Sequence, residues 1–281
     1  MLSLVMSVIL AILIIGSITD LKTREVPDYI SYAGIAIGLG ISSIVSVSSG
    51  TTTPFFLSLG GLIAAWGLAS ALYYLGQWGG GDSKVLIAMG TLLGLPVSLF
   101  DTSASFLINL VFAGGVYGFI WMMTLALKNF SKTQKMYSRV ESEPNTRIAK
   151  MAALGGAIIL LALGYLARDT LWWFPLVLFG VLSVGTYYLF VMLRAVERVC
   201  FITVTPVSRL TEGDWIIRRG VVSGKELCGP KDLGISKEQI ENLKQKKVQN
   251  VVVKSGIPFI PSFLIAFLIT ITYGNVFLLL L

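Results

Sequence analysis

Apolar runs recur along almost the whole chain, at residues 2–18, 29–47, 54–75, 85–100, 105–127, 148–167, 171–192 and 258–280. Each is close to the length a helix needs to cross a bilayer. No other feature constrains the fold as tightly, because a backbone inside hydrocarbon must satisfy its own hydrogen bonds, and runs of this length do so as helices. Composition agrees. Of 281 residues, 55% are hydrophobic and 13% are charged, about half the charged share of a soluble domain. The expectation is a polytopic α-helical membrane protein of about eight spans. The first run is not read as a cleaved signal peptide, since nothing basic precedes it and it leads straight into a charged stretch.

Eight spans put the connections after the first, third, fifth and seventh on one side, and these hold 21 of the 22 Lys and Arg residues. Arg168 alone is on the other side. Basic residues stay on the cytoplasmic face, so both termini are expected outside and the four basic segments inside. The net charge of +7 and the pI near 9.4 follow from that bias, with some attraction to anionic headgroups of the lipid bilayer. They do not point to nucleic acid.

Two of the basic segments are long. Residues 128–150 read as a mobile or lipid-apposed loop. Residues 194–257 read as a small folded cytoplasmic domain of mixed α and β structure, placed between a membrane domain over 1–193 and a last span over 258–281. Within it, Ser236 and Gln239 form a capping-box pattern that opens a short amphipathic helix through Ile240 and Leu243. Val251, Val252 and Val253 form a β-prone run. A unit this small is expected to dock on the membrane domain rather than stand alone.

There is no histidine, which removes imidazole-based catalysis and His-containing metal sites. The two cysteines, Cys200 and Cys228, form no CxxC pair, so a four-thiolate zinc site is excluded and no metal or cofactor is expected. What remains is carboxylates held at the membrane. Asp20 lies just past the first run and Asp82 just before the fourth, both at the cytoplasmic ends of their helices. Two carboxylates at equal depth on different helices can approach, and at short range they share a proton rather than both ionising. Such a pair can hydrolyse a peptide bond, one member drawing a proton from water while the other protonates the carbonyl or the leaving amine.

Structural roles stay open for the same residues. Asp82 before Ser83 also suits the N-terminus of a helix. Asp20, at a helix C-terminus, opposes the macrodipole and has Lys22 and Arg24 nearby as ion-pair partners. Gly79, Gly80 and Gly81 suit a tight turn, and equally a strip without side chains along which a substrate backbone opened out of its helix can approach the acid.

The segment Gly79-x-Gly81-Asp82-x-Lys84, together with Asp20 and the downstream Arg24, Val26 and Pro27, resembles the prepilin and preflagellin peptidases. These are the GxGD aspartyl proteases of type IV pilus and archaeal flagellum systems. The likeness extends over the first four helices and reaches the proline-rich stretch from Gly256 to Pro261 before the last span. It implies Asp20 and Asp82 as the catalytic pair, with Gly79, Gly80, Gly81 and Lys84 lining the substrate. The cysteine-rich zinc module of many bacterial members is missing, and the stretch from Arg209 to Trp215 is closer to archaeal preflagellin peptidases. Asp28 stands where the family often has asparagine. The function implied is an endopeptidase of the cell membrane that removes a short basic leader from preflagellin or archaeal prepilin precursors at the cytoplasmic face. The rival reading is a proton- or ion-coupled transporter using Asp20 and Asp82.

Overall fold

The computed structural model describes residues 2–217, 220–222, 225–228 and 234–279. Leu280, the last residue of the eighth expected span, and the side chain of Cys228 lie outside the described residues. The helices are α1 (Leu2–Thr23), α2 (Asp28–Ser49), α3 (Thr53–Tyr74), α4 (Gly80–Leu93), α5 (Thr102–Lys128), α6 (Phe130–Glu141), α7 (Pro144–Leu166) and α8 (Trp173–Val196). After them come β1 (Ile202–Pro206), β2 (Trp215–Ile216), β3 (Gly220–Val222), β4 (Lys225–Cys228), α9 (Lys237–Gln245), β5 (Asn250–Lys254), α10 (Ile260–Tyr273) and α11 (Val276–Leu279).

Every expected span coincides with a helix, yet six of them, α1, α2, α3, α5, α7 and α8, are long and apolar enough to cross a membrane. The helices of the fourth and eighth runs stop early. α4 and α10 have 14 residues each, roughly 21 Å of helix at 1.5 Å per residue. Glycines in the left-handed region end both: Gly94 with φ 78° after α4, and Gly274 with φ 71° after α10. Pro96 then keeps the fourth run from resuming a helix. Beyond Gly274 the chain turns into α11, held by Asn109 of α5, whose amide donates to the Gly274 carbonyl at 2.7 Å and accepts from the Val276 N–H at 3.1 Å.

Residues 128–150 do not form a loop. They contain α6 and the first turns of α7, and α6 packs on α8 through Val140, Tyr187 and Val191, all buried. Phe130, Thr133, Met136, Tyr137 and Val140 recur at helical spacing, and this amphipathic stripe makes the segment a helix. Arg198, just past α8, pairs with Glu143 at the start of α7. Its hydrogen bond holds the Glu143 carboxyl below the usual carboxylate range.

Lipid tails are as apolar as leucine, so helices in a bilayer associate by close packing and not by hiding from water. The contacts here have that character. α3 and α4 cross where Gly61 meets Gly90, so tightly that a Cβ on Gly61 would lie 2.1 Å from the Gly90 carbonyl oxygen. Ile9 and Leu13 of α1, Val85 and Met89 of α4, and Phe263 and Phe267 of α10 have no exposed surface. α10 lies between α1 and α5, and these residues form one core.

The segment after α8 folds around a sheet in the order β1, β5, β2, all antiparallel, with Val204 opposite Val252 and Trp215 opposite Lys254. Alternate residues of β5, Val251 and Val253, face a core of Val207, Leu210, Ile216, Ile240 and Leu243. The capping box forms as expected: Gln239 N–H donates to Ser236 Oγ at 3.2 Å, and Ser236 N–H to Gln239 Oε1 at 2.9 Å. The Trp215 ring covers Gly76, the positive-φ residue that turns the chain between α3 and α4.

Candidate active site

The start of α10 supports both acids. Asp20 is in the last turn of α1 as a buried side chain, 6% exposed, and its Oδ2 accepts the Ile260 N–H at 2.9 Å. The first N–H groups of a helix have no partner within the helix, and a carboxylate there is a strong acceptor. The dipole conflict expected for Asp20 at a helix C-terminus is therefore offset by a second helix, whose positive end points at it. Arg24 takes a positive φ of 58° as the chain leaves α1, and no cation lies within ion-pair distance of Asp20 among the described residues.

One residue before Ile260, Phe259 sits at a centroid distance of 5.8 Å from Trp78, which also touches Phe263 at 5.5 Å. Trp78 immediately precedes the glycines. This aromatic cluster fixes the entry to α4 beside the entry to α10, and so brings Asp82 near Asp20 although 61 residues of sequence separate them. The two carboxyl groups are near enough for the charge of Asp20 to act on Asp82. Asp82 is the third residue of α4, and its Oδ2 accepts the Gly79 N–H at 3.2 Å. The helix-start role and a place in a carboxylate pair are thus compatible.

The glycines are not the turn. Positive φ occurs at Gly76, whereas Gly79 is extended at φ −75° and Gly80 and Gly81 are the first residues of α4. A Cβ on Gly81 would touch Val26 at 3.4 Å, one on Gly79 would face Asp82 at 3.5 Å, and one on Gly80 would meet nothing within 4 Å. Val26, from the α1 to α2 connection, therefore covers one side of the first turn of α4 and leaves Gly80 open.

Lys84 is paired to Asp28 across α4 and α2 at 2.5 Å. Asp28, noted in the sequence only as a departure from the family habit, thus has an electrostatic partner in the chain. Trp78 and Phe259 are residues of this site to which sequence reasoning gave no role. A large aromatic against a glycine run was a readable hint for Trp78; rings are too common in apolar spans for Phe259 to stand out. No three His, Cys, Asp or Glu side chains gather as a metal site among the described residues.

A sequence profile described as the type IV leader peptidase family matches residues 7–126, which contain most of α1, all of α2 to α4 and nearly all of α5. Over these residues the chain is similar to the type IV leader peptidase family. Two relatives agree. A preflagellin peptidase of Methanococcus voltae is 37% identical over 81 residues, which is 29% of this chain and 34% of the relative. A preflagellin peptidase of Methanocaldococcus jannaschii is 35% identical over 81 residues, with the same coverage. The chain thus matches about a third of the length of these curated relatives. No solved structure gives a significant match. The matched region holds Asp20, Asp82, the glycines and Lys84; α6 to α8, the sheet and α10 lie outside it.

Proposed function

We propose that the chain is an intramembrane aspartyl endopeptidase that removes a short basic leader from preflagellin or archaeal prepilin precursors at the cytoplasmic face. What supports this reading is that Asp20 and Asp82 lie near enough for the charge of one to act on the other, beside the open first turn of α4 and within the region matched by the family. One carboxylate takes a proton from water as the water oxygen bonds to the carbonyl carbon, and the other gives a proton to the carbonyl oxygen. The carbon–nitrogen bond then breaks as the pair gives a proton to the leaving amine and takes one back from a hydroxyl of the tetrahedral diol, which becomes the new carboxyl group, so the pair ends with the single proton it began with. Water is the nucleophile, so no cofactor is called for. Gly80 leaves room for the extended substrate backbone, whose apolar continuation runs into the bilayer. Coupled transport draws no comparable support, because both acids sit at helix ends and carriers place theirs near mid-membrane.

Detergent-purified protein mixed with a preflagellin precursor, followed by mass measurement of the new N-terminus, tests the reading. Asp20→Asn and Asp82→Asn are each expected to lower turnover by at least about 10³-fold while leaving the thermal midpoint near that of the parent, since acid and base roles are not interchangeable within one turnover. Substantial cleavage by either variant rules the pair out.

A further inference from the structure

Tyr117 lies on α5 three residues past Gly114 and on the same face. Gly114 is where α5 touches the start of α10, since a Cβ there would come within 2.7 Å of Phe259 Cζ. The two helices are antiparallel: Asn109, earlier on α5, donates to Thr270 Oγ1 at 2.9 Å near the far end of α10. Following α5 from Asn109 past Gly114 therefore carries it about one turn past the start of α10, toward the side on which Asp20 takes the Ile260 amide.

There the phenol is close enough for the Asp20 charge to act on it. No hydrogen bond joins the two. The hydroxyl is shielded from solvent and has no hydrogen-bond partner among the described residues. The ring itself is held by Trp121, with centroids 5.9 Å apart. A buried hydroxyl left unpaired in a native fold calls for an explanation, and groups awaiting a substrate are one such class. Tyrosine suits the task, because a phenol is a neutral donor at ordinary pH and adds no third charge to a site that already holds two carboxyl groups.

We propose that the Tyr117 hydroxyl donates a hydrogen bond to the carbonyl oxygen of the scissile peptide bond, which makes Tyr117 a third catalytic residue beside Asp20 and Asp82. This rests on the endopeptidase reading. As water adds, electron density shifts onto that oxygen while the acid of the pair is still passing it a proton, and a second donor aimed at it from α5 stabilises the addition more than it stabilises the bound substrate. Loss of the hydroxyl therefore falls on kcat and not on KM.

The test compares Tyr117→Phe, Asp20→Asn and Asp82→Asn in the same detergent assay, with a synthetic precursor peptide carrying its basic leader and the apolar stretch that follows. Tyr117→Phe keeps the ring and its contact with Trp121. Its kcat is expected to fall by about 10- to 10³-fold, with KM within about twofold and the thermal midpoint unchanged. A kcat within about twofold of the parent, an effect confined to KM, or a loss that tracks thermal stability each overturns the proposal. If the aspartate variants are inactive and Tyr117→Phe is unimpaired, Tyr117 alone is removed from the mechanism. Should the aspartate variants still cleave, the endopeptidase pair fails and the role of Tyr117 falls with it.

Discussion

Gly80 is a helical residue on which a methyl group would meet no atom within 4 Å, so nothing in the resting protein requires glycine there. Glycine in a helix costs up to about 1 kcal/mol relative to alanine. Gly80→Ala is therefore expected to leave the thermal midpoint unchanged or higher. If the substrate backbone lies over this turn, kcat/KM falls several-fold in Gly80→Ala and further in Gly80→Val, whose branched side chain fills more of the space. Unchanged kcat/KM in Gly80→Val would remove the glycines from substrate binding. The two acids and the glycines were legible in the sequence because each stands against its surroundings, a charge or a bare backbone at the edge of an apolar run. Their supports were not. The Ile260 amide that holds Asp20 is 240 residues away, and the Lys84 to Asp28 pair joins two helices whose register no local pattern reveals.

At the scale of elements, the α3 to α4 crossing decides where Asp82 can be. A Cβ on Gly61 would face backbone atoms of Gly90 and Gly94, which cannot swing aside as a side-chain end does. Gly61→Ala must push the helices apart, and overpacking of this kind costs roughly 1–3 kcal/mol. Gly67 on the same helix has open space around it and serves as the control: Gly67→Ala is expected to be neutral or mildly stabilising. Thermal unfolding in detergent separates the two, and an equal loss at both positions would show that the crossing is not the tight point it looks to be. Hydropathy located these helices but overstated two of them. Apolar character continues past Gly94 and Gly274, while the helix stops where the backbone turns left-handed. In residues 128–150 the error ran the other way, because six basic residues outweighed a stripe of apolar positions at helical spacing that is sufficient for α6.

The whole molecule gathers its four basic segments at one end. Lys84 reaches Asp28 beside the α1 to α2 connection, and Trp215 of the sheet covers Gly76 in the α3 to α4 connection. Arg198 binds Glu143 between α6 and α7, and Lys254 binds Glu197 at 2.5 Å where α8 hands over to the sheet. All but the last of these contacts tie together segments that the alternation of spans assigns to one side; the last is internal to the fourth segment. Arg168, the remaining basic residue, is in the connection from α7 to α8 and pairs loosely with its neighbour Asp169. The tendency of basic residues to stay in the cytoplasm gives the orientation to test. In a background with Cys200→Ser and Cys228→Ser, Lys135→Cys on the exposed face of α6 is expected to react with a membrane-impermeant maleimide only from the cytoplasmic side. Asp169→Cys is expected to react only from outside. Two short helices, α4 and α10, leave room for a different count of crossings, and the experiment is sensitive to it: α4 and α10 enter from the acid-bearing end. If α4 did not cross, the chain would re-emerge on the side it entered, and α5 to α8 would all reverse. Both cysteines would then label from the sides opposite to those given. Labelling of the two sites from the same side would break the helical hairpin of α7 and α8, and with it the assignment of all four basic segments to one face.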